Sequence, residues 1–503
     1  MYFPFRITAI VWLVFVIPQA WILGFYHDDW SILPSNFSWE AISASFSLFA
    51  NRPVHAVYFT LTSLLPSADP FPHHVVAAAV ILATAICIAL FLRAFLIFTG
   101  NKNETLIADI GASIWLLIPW GLGNTCWLSA VPTLFSVIGF SMTGYFLLSY
   151  WMGETSAAFK ASLCLLLSAL SYEIFIVQVP LLFLLFFANG FTGKSALVRG
   201  MVAPSAWCTG SLCLAFLARR FGEAFGAPVT KSWSVDWASI LRQSIVPVPW
   251  WLSSAMTGFS SFGGIFVLGV LATLFAAALA LRLTGGAKQS RAERFVFLIV
   301  IFVLGYLLSC FVPAVAGYGL VGTGISSRIN LGISFWLVFL IVVLVNPVVN
   351  SRVPFFRPLG LAAVACLAVS FAVSSLVQLW DWRTVWLEQS QVLSHIDKSY
   401  FSQFDSEDVV VLNRKVERNG VTGFGAPWDL DAAMIKTFPG VRRIKYLVAS
   451  DYWCVCKDGQ EFVQCHGKVE IYRRKAGNGR LWVWNADDGS LRPAGDTEII
   501  GRP

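Results

Sequence analysis

The chain has 503 residues, of which 57% are hydrophobic and only 13% charged, with 42 Phe and 21 Trp. Its mass is 55.4 kDa and its mean hydropathy +0.70. An ordinary soluble domain carries roughly 25% charge, so a soluble enzyme, a disordered chain and a fibrous protein are excluded. The net charge of +7 falls mostly in short loops, where it sets membrane orientation, and no nucleic-acid partner is expected.

About eleven apolar blocks follow one another, at 7–25, 75–98, 106–120, 128–151, 161–171, 174–191, 201–217, 263–283, 295–315, 331–349 and 359–379. Blocks of this length and apolarity read as membrane spans. The expected fold is an all-α polytopic membrane protein with about eleven transmembrane helices, the first an uncleaved anchor. The stretch 39–65 is interrupted by Glu40, Asn51, Arg52 and His55. It is too polar to span and fits one or two helices in the membrane interface. A cytoplasmic N-terminus puts Lys102, Lys160, Lys194, Arg199, Lys288, Arg291, Arg294, Arg352 and Arg357 on the inner side, as the positive-inside rule requires. The segment 219–242 is the exception, being basic and falling outside.

Near Asp381 the composition turns charged and aromatic. Residues 1–380 read as the membrane domain, and residues 381–503 as a small extracytoplasmic α+β domain. Alternating stretches at Asp408–Leu412, Arg443–Ala449 and Lys468–Tyr472 read as its strands. Cys454, Cys456 and Cys465 followed by His466 could bind a metal, but theirs is not a standard zinc spacing, and one disulfide among the three is the expectation in an oxidising compartment. Trp250, Trp251, Trp380, Trp382 and Trp386 stand near outer boundaries and read as an interfacial aromatic belt, with stacking on sugar faces the alternative.

Four polar motifs fall on the outer side. Asp28 and Asp29 lie just beyond the first block. Adjacent carboxylates repel, which raises one pKa and suits a general base or a divalent-metal ligand; a solvated turn is the plainer alternative. Arg52, in Asn51–His55, has the planar donors that phosphate or carboxylate requires, or it snorkels to headgroups. Glu173, in Ser171–Glu173, occupies a very short turn between two blocks, where it could orient an acceptor or bind an arginine. Arg328, in Ser326–Asn330, opens a late block and reads as an anion site or a headgroup contact. Two carboxylates and two arginines on one membrane face suit group transfer from a lipid-linked phosphate.

This ordered set resembles the GT-C superfamily of integral-membrane glycosyltransferases, and within it the O-mannosyltransferase-like branch. Asp28-Asp29 matches the acidic pair of the first outer loop. Arg52-Pro53-Val54 is similar to R-P-L, and Asp69 to His74 to the P-x-G-x-H stretch before the second span. Ser171-Tyr172-Glu173 is similar to S-K-E, with Tyr in place of Lys, and Arg328 to the late arginine. The resemblance implies a polyprenyl-phosphate-linked sugar donor and inverting transfer to a hydroxyl of a glycan, lipid or protein. It implies Asp28 as the base, with Asp29 supporting it. Arg52 and Arg328 would bind the donor phosphate, and His55, Tyr172 and Glu173 would line the site. No cofactor is required, although Asp28 and Asp29 could hold Mg or Mn. A bacterial inner membrane is the expected location. The competing readings are a transporter or flippase for lipid-linked sugars, and a polysaccharide polymerase or ligase that uses a diphosphate donor.

Overall fold

The structure is a computed structural model. It describes residues 4–33, 37–66, 68–101, 103–189, 194–224, 289–315, 318, 321–351, 353, 355–394, 408–413, 415–424, 427–438, 445–448, 453–458, 461–466, 469–475, 480–485, 488 and 490–494.

Helix α1 covers Arg6–Ile22. It widens to a π turn at Trp12–Val16, where the Ile17 amide reaches back to the Trp12 carbonyl at 3.0 Å. Pro18, which has no N–H to give, stands at the break before its last turn. The start of α1 is capped from another helix: Asp109 accepts from the Ile7 and Thr8 amides at 2.9 Å each and from the Thr8 hydroxyl at 2.6 Å. Two short helices follow in the segment after α1, α2 (Trp39–Leu48) and α3 (Pro53–Thr62). Ser38 caps the first by accepting from the Ala41 amide, and Pro53 opens the second, where its missing N–H costs nothing.

The remaining helices are α4 (Pro70–Phe98), α5 (Glu104–Leu117), α6 (Leu134–Trp151) and α7 (Ala157–Ser171). Then come the partly 3-10 segment α8 (Glu173–Phe187), α9 (Lys194–Ala224), α10 (Gln289–Val315), α11 (Leu331–Val349) and α12 (Phe356–Ser394). Among the described residues, six helices are long and apolar enough to cross a membrane, and three further apolar helices are shorter. The expected count of about eleven is not reached among them: several blocks are broken by proline, π or 3-10 turns, and block 263–283 lies outside the described residues. The chain is an integral membrane protein, and α9 leaves Val202, Leu214, Phe216, Leu217 and Phe221 exposed as lipid-facing residues should be.

Helices pack through small and polar contacts. Ser168 on α7 donates to the Ser136 carbonyl on α6 at 2.8 Å. Buried Gln178 accepts from the Trp336 indole at 2.6 Å and donates to the Ser309 hydroxyl at 3.1 Å. In an apolar medium each such bond replaces an unsatisfied group rather than a hydrated one. Trp382 is 0% exposed and stands edge-on to Tyr26. It is a core residue and not part of an interfacial belt; Trp380 remains exposed, and Trp250 and Trp251 lie outside the described residues.

Helix α12 continues through position 380, where the composition changes, as far as Ser394. Beyond it, strand β1 (Val409–Leu412) is paired in parallel with β4 (Lys445–Val448) on one side and β8 (Leu481–Trp484) on the other, and β9 (Leu491–Pro493) closes the edge antiparallel to β8. All four residues of β1 are buried, as an interior strand of a parallel sheet demands. The crossover from β1 to β4 contains a two-stranded hairpin, β2 (Glu417–Arg418) and β3 (Val421–Thr422), and helix α13 (Pro427–Thr437). Strands β5 (Trp453–Asp458), β6 (Glu461–His466) and β7 (Val469–Lys475) form a separate antiparallel sheet whose register sets Cys454 opposite Cys465. The side chains of Cys454, Cys456 and Cys465, and with them the expected disulfide, lie outside the described residues.

Candidate active site

The chain leaves α1 in extended form and turns sharply at His27, whose φ of 44° is left-handed. Asp29 then opens a single helical turn and points into the protein. One of its oxygens accepts from the Ser129 amide at 2.7 Å and the Ser129 hydroxyl at 2.6 Å, and the other from the Tyr26 amide at 3.0 Å. Burial pushes its carboxyl up to about 7, with these hydrogen bonds working in the opposite direction. Lys436 of α13 covers the turn, donating to the Leu33 carbonyl at 2.8 Å. Burial lowers its ammonium to about 8, and Asp29 opposes the shift.

Asp28 faces the other way and is partly exposed. Its Oδ1 lies 2.9 Å from His27 Nδ1, and Oδ2 of the fully buried Asp429, from α13, lies 3.3 Å from the same nitrogen. Burial disfavours the charged imidazole, but the two carboxylates outweigh it and push His27 up to about 10. One imidazolium therefore sits between two carboxylates. Their ligating atoms lie within 4.8 Å of one another, so a metal ion would fit once the imidazole gave up its proton. Imidazole with carboxylates suits Mn²⁺ or Zn²⁺ better than Mg²⁺, which favours oxygen ligands. Asp29 does not join this set, because both its oxygens are committed to the fold.

A second cluster is cationic. Arg52, just ahead of α3, donates to Glu173 Oε1 at 3.1 Å and lays its guanidinium over the Tyr172 ring at 4.8 Å. Arg219, near the C-terminal end of α9, places Nη1 3.0 Å from the same oxygen and donates through Nη2 to the Ala169 carbonyl at 2.5 Å. Burial resists ionisation of Glu173, but the two guanidiniums hold its carboxyl down to about 2. Buried His55 is lowered to about 3 by desolvation and by Arg52, and stays neutral. Arg328 lies over the Trp127 ring at 4.4 Å, and that ring is 5.9 Å from the His27 ring. Burial raises the Tyr172 hydroxyl, against the combined pull of Arg52 and Arg328. Three guanidiniums against one carboxylate leave two positive charges. Arg52 Nε, Arg219 Nε, Glu173 Oε2 and His55 Nδ1 are buried without a hydrogen-bond partner among the described residues. Unsatisfied donors at a net positive site are what an incoming phosphate would complete.

The residues expected from sequence are thus divided. Asp28, Arg52, His55, Tyr172, Glu173 and Arg328 gather around Trp127 and Tyr172, whereas Asp29 is turned into the core. Sequence reasoning missed His27, Trp127, Arg219, Asp429 and Lys436. Arg219 had a signal, as the first cation of the basic segment that breaks the positive-inside pattern. Asp429 and Lys436 had none, being polar residues on an amphipathic helix about 400 positions from the loop they meet.

No protein-family model matches the chain, and no curated protein matches it. Among solved structures, the chain is similar to the Archaeoglobus fulgidus oligosaccharyltransferase in complex with Zn and sulfate, at 11% identity with a TM-score of 0.39. The match covers 88% of this chain and 62% of that one, so the chain spans less than two thirds of that protein's length. A superposition this loose transfers no activity, and the functional reading rests on the site's own residues.

Proposed function

We propose that the protein is a GT-C-type membrane glycosyltransferase that moves a sugar from a polyprenyl-phosphate donor to an acceptor hydroxyl on the extracytoplasmic face, with inversion. The observation that carries this reading is a doubly positive arginine cluster near a partly exposed carboxylate: Arg328 lies over Trp127, whose ring is 5.9 Å from that of His27, the neighbour of Asp28. The proton of the acceptor hydroxyl passes to Asp28. The acceptor oxygen bonds to the anomeric carbon from the face opposite the phosphate. The bond from that carbon to the phosphate oxygen breaks, and its electron pair leaves on the phosphate. Arg52, Arg219 and Arg328 stabilise that growing charge, which is greatest as the bond breaks, so they favour the transition state over the bound donor. Asp29 holds the loop so that Asp28 faces outward. His27, Asp28 and Asp429 would hold a divalent metal, which would supply further positive charge to the site when bound.

The distribution of basic loops supports a cytoplasmic N-terminus and an extracytoplasmic C-terminal region; a bacterial inner membrane is the proposed location. The acceptor is a hydroxyl of a glycan, a lipid or a protein.

The test is a transfer assay with full-length protein in lipid nanodiscs and a panel of polyprenyl-phosphate sugars. Wild type should release polyprenyl phosphate. Asp28→Asn should lower transfer by roughly 10²- to 10⁴-fold while donor binding is kept. Release from diphosphate donors only would replace the monophosphate reading, and no release from either class would turn the assignment to transport.

A further inference from the structure

Hairpin β2–β3 joins two membrane-side loops that the sequence separates by about 300 residues. The Gly423 carbonyl accepts from the His27 amide at 2.9 Å, and the Gly420 carbonyl accepts from the Ile325 amide at 3.0 Å. His27 immediately precedes Asp28, and Ile325 begins the 3-10 turn Ile325–Asn330 that carries Arg328. Three residues of extended chain separate the two carbonyls, roughly 10 Å. The hairpin is in turn anchored to α12. Arg418 Nε donates to Asp381 Oδ1 at 2.7 Å and Asn419 Nδ2 to Asp381 Oδ2 at 2.9 Å, so both carboxylate oxygens are engaged. Asp381 is 7% exposed and precedes Trp382, which packs on Tyr26.

The hairpin is stiff by its own chemistry. Its two turn residues, Asn419 and Gly420, have φ of 48° and 78°. Positive φ at both central positions is the Asn-Gly type I′ turn, whose twist matches that of its strands. Contact with the Arg328 loop is close enough that a Cβ on Gly324, itself at φ 69°, would run into the Gly420 backbone. From the same region, Asp429 faces His27 and Lys436 closes over the Asp29 turn.

We propose that this hairpin is a positioning clamp: it holds the Asp28 loop and the Arg328 loop at one separation, with Asp381 as its anchor. The C-terminal region then belongs to the working site rather than being an appendage to it. The effect on catalysis rests on the transferase reading; the mechanical tie between the loops does not.

The experiment combines two readouts on full-length protein in nanodiscs. Hydrogen exchange follows the His27 and Ile325 amides, and steady-state transfer separates kcat from KM. Asp381→Ala removes the anchor, Gly324→Ala disturbs the joint from the other side, and Asp381→Glu is the conservative variant. Each of the first two should raise exchange at both amides and lower kcat by roughly tenfold to a hundredfold, the scale of a misplacement near 1 Å, with little change in donor KM. Asp381→Glu should recover most of the loss. If Asp381→Ala does not fold, Gly324→Ala decides. Unchanged exchange at both amides in the folded variants would overturn the clamp. Raised exchange with wild-type kcat would overturn its positioning role. A wild type that transfers no sugar from any donor would end the transferase reading, and the exchange arm alone would still decide whether the hairpin ties the loops.

Discussion

Asp28 and Asp29 are neighbours with opposite environments, and the difference lies in what each oxygen touches. Asp29 takes three hydrogen bonds in the interior, so replacing it with alanine strands the Tyr26 and Ser129 amides. Each buried unsatisfied group costs about 1–3 kcal/mol, and Asp29→Ala should lower thermal stability by at least that much, as read by unfolding in detergent. Asp28→Asn removes one of the two carboxylates that face His27 but keeps an oxygen that can accept from it, so it should cost less stability than Asp29→Ala while lowering transfer by roughly 10²- to 10⁴-fold. Glu173 gives a pH prediction. Its folded carboxyl is held at about 2 by Arg52 and Arg219, below the ordinary 4.5. A group depressed on folding contributes stability above its unfolded pKa and loses it as pH falls through the folded one. The stability difference between wild type and Glu173→Gln should therefore be full at neutral pH, on the order of 2–3 kcal/mol, and should shrink from about pH 4.5 toward pH 2.

At the level of elements, the capping of α1 by Asp109 is the clearest dependence of one helix on another. Asp109 sits inside an apolar block and lies on α5, yet its carboxylate satisfies the first amides of a helix about 100 residues earlier. Loss of an N-cap costs about 0.5–2 kcal/mol. Asp109→Ala should fray Arg6–Val11, seen as faster hydrogen exchange there with the rest of the chain unaffected. The same reasoning explains why α1 is not a uniform apolar rod. With a π turn in its middle and Pro18 before its last turn, it delivers Leu23 in an extended conformation, from which the Asp28 loop can turn.

Across the whole molecule, the site draws on residues from 27 to 436, so a ligand bound there should stabilise both regions together. Polyprenyl phosphate at a hundredfold excess over its Kd should add about 2.7 kcal/mol. The membrane helices and the C-terminal strands should then shift upward in one unfolding transition. Two transitions, with only the first moved by ligand, would show that the C-terminal region does not share the site.

Membrane character, the two short helices at 39–48 and 53–62, and the strands around 409–412, 445–448 and 469–475 were legible in the sequence, as were six polar residues that the fold brings near one another. Each depends on local composition or on a short motif. Hydrophobic run length reports membrane insertion directly, because lipid tolerates few uncompensated charges. Pairing is different. That Asp29 would be sealed by Ser129, that Arg52 and Arg219 would share Glu173, that Asp429 would face His27, and that Trp382 would be core rather than belt all depend on side chains brought within about 3–6 Å across tens to hundreds of residues. Coulombic and hydrogen-bond energies are decided at that range, and only the folded arrangement of helices sets it.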